Sequence, residues 1–133
     1  MLSLSVDSLR LFLHILAATI WVGGQITLGA LVPVLRGYEG APKAAAQQFN
    51  RVAWTAFVVL VATGAWNIAA LDHPSNAVKT TVNIKMAVVL LSGLAAYLHG
   101  RAKSKPAIAA WGAVSALTAL AAVLLGVMIT EAP

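Results

Sequence analysis

Cysteine is missing from this sequence altogether, and the whole chain holds only four acidic residues. The first absence excludes disulfides, thiolate-bound metals and iron–sulfur clusters, and it leaves the redox compartment open. Charge of either sign is scarce: 10% of residues are charged, against about 25% in an ordinary soluble domain. A soluble fold of this size has too little interior for a chain that is 60% apolar with a mean hydropathy of +0.86. A bilayer removes that difficulty. No stretch shows the strand-like alternation of a β-barrel. Residues 1–9 lack the basic n-region and small-residue cleavage site of a signal peptide. The apolar run that follows is longer than a signal h-region of about 7–15 residues, so it is expected to stay in the protein.

What is present is apolar length. Helices need about 20 residues to cross some 30 Å of hydrocarbon. Residues 11–35, 52–71 and 107–130 qualify, and the last two contain no charge. The stretch 81–98 is weaker because it includes Lys85 and its clean part, residues 86–98, would suit a re-entrant segment. Its flanks differ in charge and its neighbours are strong spans, so it too is read as a crossing. Residues 37–50, 72–76 and 100–106 read as connections, with Pro74 ending what precedes it and Pro106 placed for the first turn of the last helix. Short links predict an all-α integral membrane protein, a single domain over residues 1–133. Its expected architecture is an antiparallel, up-down-up-down bundle of four transmembrane helices. Gly23, Gly24, Gly64, Gly93, Gly112 and Gly126 would let those helices approach closely, although transmembrane helices are glycine-rich in any case.

The pI near 10.1 would suggest nucleic acid in a soluble protein, but here the cations sit between apolar runs and no nucleic-acid partner is expected. Arg36, Lys43, Arg51, Arg101, Lys103 and Lys105 fall on the side opposite the termini, with Glu39 as its one acid. On the terminal side Arg10, Lys79 and Lys85 are balanced by Asp7, Asp72 and Glu131. Positive-inside bias therefore predicts cytoplasmic inner loops and both termini outside.

That topology gives depths to the polar residues. His14 falls about 7 Å inside the outer end of the first span. Lys85 and Asn83 in the third span and Asn67 in the second lie near the same end. Met86 and Met128 fall in outer halves, while Asp72 and His73 occupy the outer loop. Ionisable residues in a span are costly and usually face the protein interior. His14 shares a helical face with Ala18, Trp21 and Gln25, and Lys85 shares one with Ser92 and His99. His99, at the inner end, is too far from His14 to share a ligand. Plainer readings stand beside the functional one. His14 is then a hydrogen-bonded packing residue, Lys85 snorkels to headgroups, and His73 is a solvated turn residue. On the same view Trp21, Trp66 and Trp111 only pack, and Trp54 anchors at the interface. The functional reading rests on the shared depth of these groups.

The run Leu13-His14-Ile15-Leu16-Ala17-Ala18-Thr19-Ile20-Trp21-Val22-Gly23-Gly24 resembles the opening helix of CopD-type membrane domains. Phe49-Asn50-Arg51-Val52-Ala53 followed by Ala62-Thr63-Gly64 resembles their second helix, and Lys85 in Ile84-Lys85-Met86 is similar to the lysine that opens their next one. The likeness covers nearly the whole chain. It implies copper uptake or resistance at a bacterial inner membrane. HemJ-type proteins, which are more distantly similar, are four-helix haem-b proteins that oxidise protoporphyrinogen and carry an analogous histidine and lysine. The chain departs from them at Leu31-Val32-Pro33-Val34-Leu35-Arg36, where they carry an Arg-Leu-Phe-Val-Tyr-His run, so that enzymatic activity is not the favoured expectation.

The expectation that follows is a b-type haem in the bundle core near the outer leaflet, serving electron transfer or redox sensing. His14 is its axial ligand, and Lys85 or Arg10 a counter-ion for a propionate. The opposite axial position is empty or filled by Lys85, Met128 or another outer-leaflet group. Trp21 and Asn67 complete the candidate cofactor site. The second expectation is copper, held by His14, Met128, Met86 and His73, since without cysteine a soft site needs methionine and histidine. The third is a structural subunit packed against another membrane protein or against further copies of the chain.

Overall fold

The computed structural model describes residues 1–132, and they form four long helices with no strand among the described residues. Helix α1 spans Val6–Leu35, α2 Ala41–Ala69, α3 Asn76–Arg101 and α4 Lys105–Thr130. At 1.5 Å per residue the shortest is about 39 Å long, more than the roughly 30 Å of a bilayer core. All four are long and apolar enough to cross a membrane. The weak third stretch is one uninterrupted helix of 26 residues, long and apolar enough to cross. Large apolar side chains such as Phe12, Ile15, Leu117 and Leu124 stand exposed along the helices. In water such surface would drive association, whereas in lipid it is the expected exterior.

Three helices begin on a serine. The hydroxyls of Ser5, Ser75 and Ser104 accept from the backbone N–H groups of Ser8, Val78 and Ala107, satisfying donors that the helix itself leaves open. The first connection is shorter than the sequence suggests. The chain is already helical at Ala41, so only residues 36–40 link α1 to α2. Alanine and glutamine dominate residues 41–48 and favour helix whatever their polarity, and Pro42 suits a first turn. Gly100 likewise belongs to α3, which ends at Arg101.

The chain divides into two compact units, Met1–Asn67 and the residues from Ile68 onward. Each is an antiparallel helical hairpin. In the first, contacts pair Arg10 with Asn67, His14 with Thr63, and Trp21 with Phe57, so one partner's number rises as the other's falls. Gly24 lies against Phe49 farther along, where an added Cβ would overlap the phenyl ring. Gly23, by contrast, has open space where its Cβ would stand and is not a point of close approach. In the second hairpin Lys85, Ser92 and His99 all lie on the seam with α4, as their seven-residue spacing implies. Ser92 and Ser115 are buried there, each donating to the other's backbone carbonyl at 2.8 and 3.0 Å.

Helix α1 is not uniform. Over Thr19–Gly23 it widens to a π-helical turn centred on Trp21. Such bulges arise mostly as single turns within α-helices and often mark functional sites. The wide turn carries Trp21 into a cluster with Trp54 and Phe57, at ring-centre distances of 5.3 and 4.6 Å. Trp21 is only 3% exposed. Trp54, read from the sequence as an interface anchor, packs on Trp21 and Phe57. The bulge also shifts the helical register behind it, so Gln25 does not follow His14 at a simple α-helical spacing.

Candidate haem-ligating site

The first hairpin carries its polar residues in successive rungs, one helical turn apart. Arg10 and His14 are four residues apart on α1, and Thr63 and Asn67 four apart on α2, so antiparallel packing sets the two pairs face to face. At the rung nearer the N-terminus, Arg10 Nε donates to Asn67 Oδ1 at 2.7 Å. Its Nη1 donates to Asp7 Oδ1 at 2.8 Å, and the guanidinium carbon stands 5.8 Å from the centre of the Trp66 ring. Three contacts hold a side chain that is only 13% exposed, while Asp7 itself is largely solvated. The cation is positioned by the fold yet only partly neutralised, because its carboxylate partner sits at the surface.

The next rung pairs the imidazole of His14 with the hydroxyl of Thr63. His14 Nδ1 lies 2.9 Å from Thr63 Oγ1. A hydroxyl has one hydrogen to give. Thr63 directs it back along its own helix to the Val59 carbonyl at 2.6 Å, with the Leu60 carbonyl farther off at 3.2 Å. In that arrangement Thr63 Oγ1 faces His14 as an acceptor, and His14 Nδ1–H is the donor. In the neutral ring the lone pair then resides on Nε2. A histidine that binds a metal through Nε2 takes this form, with Nδ1 donating to the protein and Nε2 presenting its lone pair. His14 is half-buried and Thr63 buried.

Beyond this rung toward the connecting loop come the three packed rings of Trp21, Trp54 and Phe57. The hairpin therefore runs from a held cation, through an oriented imidazole, to an apolar aromatic floor. It brings together Arg10, His14, Asn67 and Trp21 of the residues singled out in the sequence. Thr63 is the residue the sequence reasoning left out of the site. Its Thr-Gly pair marked it, but only the antiparallel register makes it a partner of His14.

The remaining candidates belong to the second hairpin. Lys85 lies on the α4 seam with its ammonium over Gly126, where an added Cβ would stand 3.3 Å from Nζ. Met86 is half-buried on α3, and Met128 is exposed on α4. His73 sits in the loop before α3 with a left-handed backbone (φ 44°), its ring facing Asp72 at 3.3 Å and its side chain 97% exposed. Among the described residues, no three His, Cys, Asp or Glu side chains converge as a metal-binding group. Haem iron does not require such a group, since the porphyrin supplies the equatorial ligands and the protein only an axial one.

Compared with protein families, with curated proteins and with solved structures, the chain matches none.

Proposed function

We propose that this chain is a b-type haem protein of the membrane, with His14 Nε2 as an axial iron ligand, acting in electron transfer or redox sensing. The observation that carries this reading is the contact of His14 Nδ1 with Thr63 Oγ1 at 2.9 Å; with the Thr63 hydrogen on the Val59 carbonyl, the imidazole donates from Nδ1 and keeps its lone pair on Nε2. A bound haem would supply one-electron chemistry at its iron. Thr63 holds the imidazole plane and raises its basicity as a ligand. Arg10, steadied by Asn67 and Trp66, offers positive charge to a haem carboxylate, and exposed Asp7 can yield to it. Trp21, Trp54 and Phe57 keep water from the inner side of the hairpin, and a drier site makes the oxidation state more sensitive to nearby charge.

The likeness to CopD-type domains supports a bacterial inner-membrane location for this protein. Four crossings return the chain to its starting side, and the cation-rich connections support cytoplasmic loops with both termini outside. The site then lies in the outer leaflet.

The test is an optical and metal analysis of the detergent-purified protein. The expected result is a Soret band and one haem per chain. Copper without a Soret band would transfer the assignment to copper handling through His14, His73, Met86 and Met128. Neither metal nor haem would leave a structural membrane subunit.

A further inference from the structure

The first hairpin holds a second feature that the haem reading does not use. A groove of about 420 Å³ runs along its surface, lined entirely by side chains of α1 and α2. Its floor is Ala17 and Ala56, both buried, and its walls include Leu16, Ile20, Val52 and Val59. Ala17 and Ala56 are small, and larger side chains at these two positions would fill the space. Its lining is almost wholly apolar, with two polar residues: Thr55 on one wall, and Arg51 at the end toward the connecting loop.

The position of Arg51 along α2 gives the groove a direction. Helix α2 has 29 residues, about 44 Å, and so exceeds the hydrocarbon thickness by some 14 Å. The residues before Arg51 include Lys43, Gln47, Gln48 and Asn50, while the next charged residue is Asp72, beyond the helix. The excess length therefore belongs to the Ala41 end, and Arg51 marks the level where headgroups give way to acyl chains. Among the described residues Arg51 forms no ion pair. The Thr55 hydroxyl on the same wall is turned back to the Arg51 carbonyl at 3.0 Å, so it presents no competing donor to the groove.

We infer that this groove is a binding site for one anionic phospholipid, its phosphate on Arg51 and an acyl chain laid over Ala17 and Ala56. A guanidinium pairs with phosphate oxygens through parallel N–H donors, which a choline or ethanolamine headgroup cannot exploit without bringing its own cation close. The apolar walls accept the chain without regard to its identity. Selectivity is therefore expected at the headgroup and retention at the chain.

The experiment uses the full-length protein in detergent with phosphatidylglycerol and phosphatidylcholine supplied in equal amounts. Retained lipid is counted by native mass spectrometry. The wild type should keep one phosphatidylglycerol, preferred over phosphatidylcholine by about fivefold, the effect of one interfacial cation. Arg51→Gln should erase the preference. Leu16→Trp, on the exposed rim, should obstruct the groove and lower retention of both lipids while the preference persists. Haem content should be unchanged in both variants, which separates this site from the one at His14. An undiminished preference in Arg51→Gln overturns the assignment. So does a second copy of the chain covering the groove, seen as a dimer that excludes lipid.

Discussion

Ser92 and Ser115 clasp each other across the α3–α4 seam, each hydroxyl donating to the backbone carbonyl of the other. Both are essentially buried, and the two Oγ atoms are 3.5 Å apart. Neither bond uses the other's side chain as acceptor. Each single alanine substitution therefore removes one bond and leaves the reciprocal one in place. Interhelical hydrogen bonds within membranes contribute about 0.6 kcal/mol on average, and at most roughly 1.7. Ser92→Ala and Ser115→Ala should each destabilise by that order, and the double variant by nearly the total of the two. Unfolding in mixed micelles measures this. A double variant no worse than either single would show that the bonds act as one unit.

The two hairpins differ in how much of their packing shows in the sequence. Lys85, Ser92 and His99 recur every seven residues, and the structure sets all three against α4. His99 Nδ1 donates to the Ile108 carbonyl at 2.7 Å, and its ring reaches that carbonyl across Gly112, which has no side chain in the way. The four long apolar helices are legible for a similar reason, since an apolar run of about 20 residues reads as a helix long enough to cross a bilayer. Thr63 is a harder case. A threonine that bonds its own helix is commonplace in membrane helices, and nothing local shows that its oxygen also accepts from a histidine 49 residues away. The wide turn at Trp21 is hidden likewise, because α-helical spacing is assumed when faces are counted. The helical start at Ala41 is masked by polar residues that resemble a loop until their helix propensity is weighed.

Thr63 provides a finer test of the histidine than removal of the histidine itself. Thr63→Val keeps the shape but takes away the acceptor for Nδ1–H, and outer-shell partners of this kind typically change metal affinity by about 10–100-fold. Haem retention during dilution should fall by that order in Thr63→Val and stay near wild type in Thr63→Ser. The midpoint potential of the haem that remains should rise, because a less basic imidazole stabilises the ferric state less. Equal haem affinity and potential in all three proteins would remove Thr63 from the account.

Topology can be measured without any cofactor. Reporters inserted at Glu39 or fused after Lys103 should be active in the cytoplasm, and those at either terminus active outside. The short connection of residues 36–40 makes Glu39 the better insertion point, since Lys43 already lies in α2. The reverse pattern would move the His14 site to the inner leaflet.

The central claim is that His14 holds iron, and His14→Ala tests it most directly. The variant should still insert as four helices, because insertion follows apolar length and not a single imidazole. Lys85→Met serves as the companion: it keeps the volume of the stem, removes the charge and should retain haem. Both proteins are purified alongside the wild type, and haem is counted per chain from the Soret band and by iron analysis. Loss of haem from His14→Ala, with retention in Lys85→Met, is the predicted result. Full haem content in His14→Ala would contradict the assignment and leave the bond to Thr63 as helix packing alone.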